Sequence, residues 1–254
     1  MDNNSKKLVE VFRRVHKQGW IQDIGQSWGG IGLTFEKAIG KLPDSKYEPD
    51  FNDIEIKCSS RYSRYPVYLF TIAFDGPREN EIMRIVDKFG FYDPDFPDKK
   101  VLFRKITNYN NESNKYNFQF DIDRQNEKIY LCVFDSNGVL IERSSYLHFS
   151  TLKNHLYKKL RKLAYIKAST KKVDGIKYYR YYSIKLFFLK SFETFLELME
   201  KDVLEIWIVS RINKSGKDKG RYRNKNIEFS IKEQYLEQLF DNYYKVNYDT
   251  YYEH

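Results

Sequence analysis

Three carboxylates and a lysine, Glu36, Asp50, Glu55 and Lys57, stand close together in the stretch Trp28 to Lys57, WGGIGLTFEKAIGKLPDSKYEPDFNDIEIK. Hydrolysing a phosphodiester needs a cation to neutralise the phosphate, an activated water, and a positive group near the attacking or leaving oxygen. Carboxylates are hard oxygen ligands for Mg²⁺, and a lysine among them can orient the water or stabilise charge on the pentacovalent phosphorus. The spacing Asp50-x4-Glu55-x-Lys57 meets that need, and Glu36 adds a fourth group. Asp44, Glu48 and Asp53 lie among these residues. Asp53 has the same parity as Glu55 and can stand in for Asp50 as a ligand. Without further support, Glu and Lys alternating on a strand make a solvated face.

The elements that must position these groups follow from periodicity. Ile54, Ile56 and Cys58 alternate with Glu55 and Lys57. A strand over Pro49 to Ser60 therefore buries one face and offers both charged side chains on the other. Gly29, Gly30 and Gly32 lead into a helix with Phe35, Ala38, Ile39 and Leu42 inside, and Glu36 sits at the edge of that stripe. An amphipathic first helix carries Leu8, Val11, Phe12 and Val15. The apolar run VYLFTIAF predicts a central strand over Pro66 to Phe74, and a helix follows over Glu81 to Phe89 with Gly90 as its stop.

Between Val101 and Phe149, short alternating runs broken by Asn-, Asp- and Gly-rich turns predict an antiparallel meander. A helix from Thr151 carries Leu152, Leu156, Leu160 and Leu163. Strands are expected at Leu163 to Ser169 and Ile176 to Leu186, then a helix from Ser191 and a strand over VLEIWIVS. A loop runs from Asn213 to Asn226, and Ser230 with Glu233 has capping-box spacing for a last helix holding Leu236, Leu239 and Phe240. Four tyrosines of one strand, Tyr178, Tyr179, Tyr181 and Tyr182, are expected to cover a sheet rather than to stack on bases. His155 reads as structural or orienting and His16 as exposed.

At 254 residues the chain can bury a full core, and it carries 44 Lys and Arg against 35 Asp and Glu, a net charge of +9. The excess is concentrated: residues 157 to 180 hold nine basic residues against Asp174, and residues 211 to 226 hold seven against Asp218. Two patches of this kind fit an anionic partner better than a uniformly basic coat does. Cys58 and Cys132 lie far apart without a CxxC or paired histidines, which argues against a zinc site or a disulfide framework. No window approaches a membrane span, so secretion and membrane insertion are not expected and a reducing, cytoplasmic setting is.

The residues that carry chemistry also carry a family resemblance. Gly19-Trp20-Ile21, then Gly30-Ile-Gly-Leu-Thr-Phe-Glu36, Pro49-Asp50, Glu55-Ile-Lys57 and Pro66-Val-Tyr-Leu-Phe-Thr71 together resemble the MvaI/BcnI restriction endonucleases, of the MutH-like branch of the PD-(D/E)xK nucleases. Further on, His155-Leu-Tyr-Lys-Lys159-Leu160 resembles the H-x-x-x-K-L element of MutH, whose lysine belongs to the active site. Arg223-Asn-Lys-Asn-Ile-Glu-Phe229-Ser-Ile231 stands where the family has an HGT-x-F-R-I-like segment close to DNA. Here Asn224-Lys-Asn226 replaces HGT and Ser230 replaces the arginine, so a relative's target sequence does not transfer.

The resemblance implies a mixed α/β fold (α+β, mixed sheet). It would have a PD-(D/E)xK core with flanking helices, the meander as an insertion, and a second lobe for recognition. Residues 1–190 are expected to form the catalytic lobe and 191–254 the DNA-recognition lobe of one compact unit. It implies a Mg²⁺-dependent Type II endonuclease cutting double-stranded DNA at a short sequence, acting as a monomer beside a methyltransferase of the same specificity. Asp50 and Glu55 would be metal ligands, Lys57 would handle the nucleophile, and Glu36 and Lys159 would support them. Arg61, Lys158, Arg211, Lys219, Arg221, Arg223 and Lys225 are the DNA-binding candidates, with arginine suited to gripping guanine and lysines such as Lys214 to phosphates. Two rival readings are a MutH-like nicking repair endonuclease and a DNA-binding module without catalysis.

Overall fold

Residues 1–24, 30–41, 48–109 and 111–249 are described in the computed structural model. In chain order, α1 (Asn3–Lys17), β1 (Ile21–Gln22), α2 (Gly30–Ala38), β2 (Glu55–Ser60) and β3 (Val67–Ile72) come first. They are followed by α3 (Glu81–Phe89), β4 (Phe91–Asp93), β5 (Phe96–Ile106), β6 (Tyr116–Asp123), β7 (Lys128–Asp135), β8 (Leu140–Glu142) and β9 (Tyr146–His148). Then come α4 (Phe149–Leu160), β10 (Lys162–Val173), β11 (Ile176–Leu189), α5 (Phe192–Glu200), β12 (Leu204–Ile212) and β13 (Tyr222–Ile231). A 3-10 turn (Glu233–Tyr235), α6 (Leu236–Leu239) and β14 (Phe240–Asn247) complete the chain. Among the described residues no helix is long and apolar enough to cross a membrane.

The chain forms two compact units, one of residues 1–67, 156–191 and 236–254, the other of residues 68–155 and 192–235. The single division expected at residue 190 is therefore replaced by an interleaved one, and the strands of the meander fall in the second unit. Strand pairing decides this, because each sheet recruits strands from distant parts of the chain, which local periodicity does not report.

In the first unit a mixed sheet runs β1–β11–β10–β2, with β14 also paired to β11. β10 is an inner strand, parallel to β2 and antiparallel to β11. Its consecutive residues Leu163, Ala164, Tyr165 and Ile166 are all buried, as a strand covered on both faces requires. Helix α1 starts because Asp2 accepts from the Ser5 amide at 3.0 Å, and it buries Leu8, Val9, Phe12 and Val15. Phe35 of α2 packs edge-on to Tyr181 with ring centres 5.0 Å apart, and the Tyr181 hydroxyl donates to the Ile31 carbonyl at 2.7 Å. Tyr179, Tyr181 and Tyr182 cover the sheet as expected. His16, expected to be exposed, is half-buried: its Nδ1 lies 2.8 Å from the Tyr181 carbonyl and its ring stacks on Tyr248.

The second unit is built on a sheet ordered β3–β13–β12–β5–β6–β7–β8, with β4 paired to β5 and β9 to β7. Phe70, Phe195 and Phe229 fill its core, with Phe70 and Phe229 stacked at 4.9 Å. The meander holds for β6, β7, β8 and β9, but β5 meets β6 in parallel, through Ile106 and Phe118.

Three local expectations are corrected. The strand expected from Pro49 begins at Glu55, because Phe51 and Ile54 exchange both backbone hydrogen bonds around a turn with Asn52 at φ +55°. Ser230 lies in β13, where its hydroxyl donates to the Glu205 carbonyl, and does not cap a helix. The last helix shrinks to one turn because Phe240 opens β14, whose pairing along β11 outweighs local helix propensity. Leu42, Asp44, Trp28 and Gly29 lie outside the described residues.

Gly30, the first residue of α2, tests the packing. A Cβ there would meet the Asp23 carboxylate at 2.6 Å and the Tyr179 hydroxyl at 2.9 Å. Gly30→Ala should cost roughly 1–3 kcal/mol, seen as a lower denaturant midpoint for tyrosine fluorescence. A wild-type midpoint would show that the α2 start is not tightly seated.

Candidate active site

Glu55 opens β2 and is in register with Leu163, the second residue of β10. Because β10 starts directly after α4, this register brings Lys159, near the end of α4, to the start of β2. Glu55 is 1% exposed. A buried carboxylate requires positive partners, since desolvation otherwise disfavours its charge. Lys57 Nζ donates to Glu55 Oε1 at 2.7 Å, and Lys159 Nζ lies 3.1 Å from Oε2 and donates to the Glu48 carbonyl at 3.1 Å. Burial pushes the Glu55 carboxyl up, the Lys57 charge pulls it down, and Asp50 pushes it up again.

The turn at residues 51–54 folds Asp50 back along β2, and its Oδ2 accepts the Ile56 amide at 3.0 Å. Its Oδ1 takes the ammonium of Lys41, a residue that the motifs did not single out. The tip of the same turn carries Asp53 away from Glu55. There Lys162 Nζ lies 2.5 Å and Asn4 Nδ2 2.8 Å from its carboxylate, and these contacts draw Asp53 below the usual range against the upward pull of its partial burial. Glu36 lies half-buried on α2 within reach of the charges of Asp50, Lys41, Glu55 and Lys57, and desolvation, then Asp50, push its carboxyl up. All five expected groups, Glu36, Asp50, Glu55, Lys57 and Lys159, thus meet in the first unit. Cys58 follows on β2, its thiol held protonated by burial and by Glu36 and Asp50.

The donor set suits a hard divalent cation. Glu55 Oε2 is buried and makes no hydrogen bond, despite its ion-pair distance to Lys159. Asp50 presents a second carboxylate whose orientation a backbone amide fixes. Among the described residues no three His, Cys, Asp or Glu side chains converge into an all-protein metal cage. Mg²⁺ does not need one at a phosphoryl site, where one or two carboxylates share it with water and substrate oxygens.

The expected DNA-binding residues divide between the units. In the first, Lys158 is exposed on α4, whereas Arg61 is committed: its two Nη atoms each reach Asp249 at 2.6 Å and its guanidinium lies 4.4 Å from the Tyr182 ring. This pair walls a cavity of about 390 Å³, together with Trp20, Tyr62, Arg180 and Tyr248, that includes none of the catalytic candidates. In the second unit, Lys219, Arg221, Arg223 and Lys225 are exposed. Arg223 and Lys225 belong to β13, so the basic loop is shorter than expected. Arg223 pairs with Arg211 across β12. The Arg211 guanidinium lies 4.4 Å from the Phe103 ring, which stacks on Trp207 at 4.4 Å. Lys214, expected to contact phosphate, is instead paired with Asp93 and Asp95.

The model of the MvaI/BcnI restriction endonuclease family matches residues 9–240. The fold is similar to a structure described as a restriction endonuclease MvaI–cognate DNA substrate complex, with TM-score 0.87 and 29% identity over 96% of this chain and 98% of that one. It is also similar to restriction endonuclease MvaI in the absence of DNA, with TM-score 0.60 and 27% identity over the same shares. No curated protein sequence matches significantly.

The raised Glu36 carboxyl has a consequence for stability. A carboxyl whose folded pKa lies above its unfolded value favours the fold fully below the unfolded value and loses that contribution as pH rises through the folded one. Without divalent cations, Glu36→Gln should therefore melt above wild type at pH 8, by about 2 °C, and the gain should vanish at pH 4. Thermal denaturation at both pH values checks this, and an equal gain at both would rule out the electrostatic cause.

Proposed function

The chain belongs to the MvaI/BcnI restriction endonuclease family, a sequence-specific Type II restriction endonuclease, and we propose that it hydrolyses double-stranded DNA with Mg²⁺ at the cluster of Asp50, Glu55, Lys57, Glu36 and Lys159. The observation that carries this reading is the buried Glu55 carboxylate. It has one oxygen on Lys57 and the other without a hydrogen bond, and Asp50 is fixed beside it by the Ile56 amide. A buried carboxylate whose second oxygen has an ion-pair neighbour but no hydrogen bond costs stability and is kept where a ligand completes it.

Asp50 and Glu55 would hold the cation, which would supply charge neutralisation at the phosphate and help to activate water. Lys57 is anchored by Glu55 at the point where the attacking water must be oriented, and its ammonium can stabilise the developing negative charge. Lys159 screens Glu55 from the opposite side, so that two carboxylates can approach a polyanion. Glu36, whose ionised form is a stronger base than an ordinary glutamate because of desolvation and then Asp50, completes the acidic edge and in that form can accept a proton from water.

Sequence recognition falls to basic residues of the second unit, exposed at Lys219, Arg221 and Lys225 and half-buried at Arg211. Lys219, Arg221 and Lys225 suit phosphates, whereas Arg211, stacked on a ring that is itself stacked, loses little side-chain entropy in reading a guanine edge. The protein acts as a monomer with one site, so that it nicks one strand before cutting the other. It works in the cytoplasm, where its two free cysteines stay reduced and a methyltransferase of the same specificity protects the host DNA.

Plasmid digestion in Mg²⁺ should give nicked circles and then discrete linear fragments with wild type. Glu55→Ala and Lys57→Ala should each slow cleavage by at least about a hundredfold. Unchanged cutting by both variants would reject the site.

A further inference from the structure

We propose that Lys41 is a positioning residue that holds Asp50 ready for the divalent cation and gives it up when the cation arrives, an inference that rests on the functional reading above. Lys41 belongs to none of the motifs shared with the family. It reaches the site through the way α2 ends. Gly40, at φ +83°, lets the chain turn out of the helix, its amide donates to the Lys37 carbonyl at 2.9 Å, and the Lys41 amide donates to the Glu36 carbonyl at 2.9 Å. These two bonds are a Schellman motif, with a glycine at its left-handed position. The backbone of Lys41 is thereby tied to that of Glu36, and one helix end delivers a carboxylate and an ammonium to the same place.

The ammonium sits on Asp50 Oδ1, with the two side chains 18% and 14% exposed. Oδ2 is held by the Ile56 amide, and Lys41 sits on Oδ1, the oxygen less committed to the backbone and the one a cation would approach. With the Ile56 amide on the other oxygen, Lys41 holds the carboxylate in a fixed orientation without a metal. With a dication on that oxygen, the repulsion felt by the ammonium exceeds its own attraction to the carboxylate, because twice the charge acts on it at a similar distance. Cation binding therefore displaces Lys41. Its ammonium then remains beside Glu36, whose carboxyl already senses its charge. Cation affinity in the free protein is thus held down by an internal competitor.

Calorimetric titration of the whole, DNA-free protein with Mg²⁺ tests this. Lys41→Met and Lys41→Gln should bind Mg²⁺ about tenfold more tightly than wild type, Lys41→Arg should stay within about twofold of it because the charge is kept, and Asp50→Asn should bind far more weakly. Folding of each variant is checked by circular dichroism. Equal or weaker binding by the folded Met and Gln variants, or no binding by any protein, overturns the role of Lys41. If Asp50→Asn binds as wild type does, the site itself is misassigned. If it loses binding while the Lys41 variants match wild type, the site stands and only the competition fails.

Discussion

The organisation of the first unit depends on the burial of one carboxylate. Glu55 lies at the start of an edge strand, in parallel register with the strand that follows α4, and almost no solvent reaches it. Burying an unpaired charge costs several kcal/mol, so positive groups must converge on this point. Lys57 comes from the same strand and Lys159 from the preceding helix. The turn that begins with Phe51 adds Asp50, and Asp50 in turn requires Lys41. A single desolvated group thus links β2, α4, α2 and the turn between α2 and β2.

The result is a site with three carboxylates, Glu36, Asp50 and Glu55, and three lysines, Lys41, Lys57 and Lys159. Balanced charge lets acidic groups stay buried and lets them approach DNA, which unpaired carboxylates would repel. On the proposed function, the same balance would set the conditions for catalysis, because a cation would have to compete with ammonium groups for carboxylate oxygens. Stability and activity therefore pull on the same contacts, as expected where a buried charge is retained for function. The other commitments of basic residues fit this division of labour. Arg61 braces the end of β2 through Asp249, and Lys214 serves Asp93, which leaves Lys158 of the first unit and the β13 cations of the second among those exposed.

Much of this was legible in the sequence, for physical reasons. The alternation around Glu55 and Lys57 specifies a strand whatever the tertiary setting, and the H-x-x-x-K-L element placed Lys159. Pro49 before Asp50 and the family spacing favoured Asp50 over Asp53, but the partners that hold Asp53, Lys162 and Asn4, are distant in sequence and were not legible. Lys41 could have been found: Gly40 after an apolar helical stripe marks a helix end, and the next residue must point back toward Glu36. The interleaved units, β14 and the cross-strand role of Ser230 depend on long-range pairing, so a capping pattern alone misplaced them. Arg61 read as a DNA contact only because Asp249 lies far along the chain.

The proposed DNA cleavage depends on Asp50 and Glu55 holding a divalent cation. Anomalous diffraction from Mn²⁺ in crystals of the protein with a duplex containing its target addresses this most directly. The expected result is an anomalous peak in direct contact with the carboxylates of Asp50 and Glu55, with Lys41 displaced from Asp50. A peak at Asp53 or at other carboxylates, with Glu55 still held only by its lysines and the DNA cut in the crystal, would contradict it.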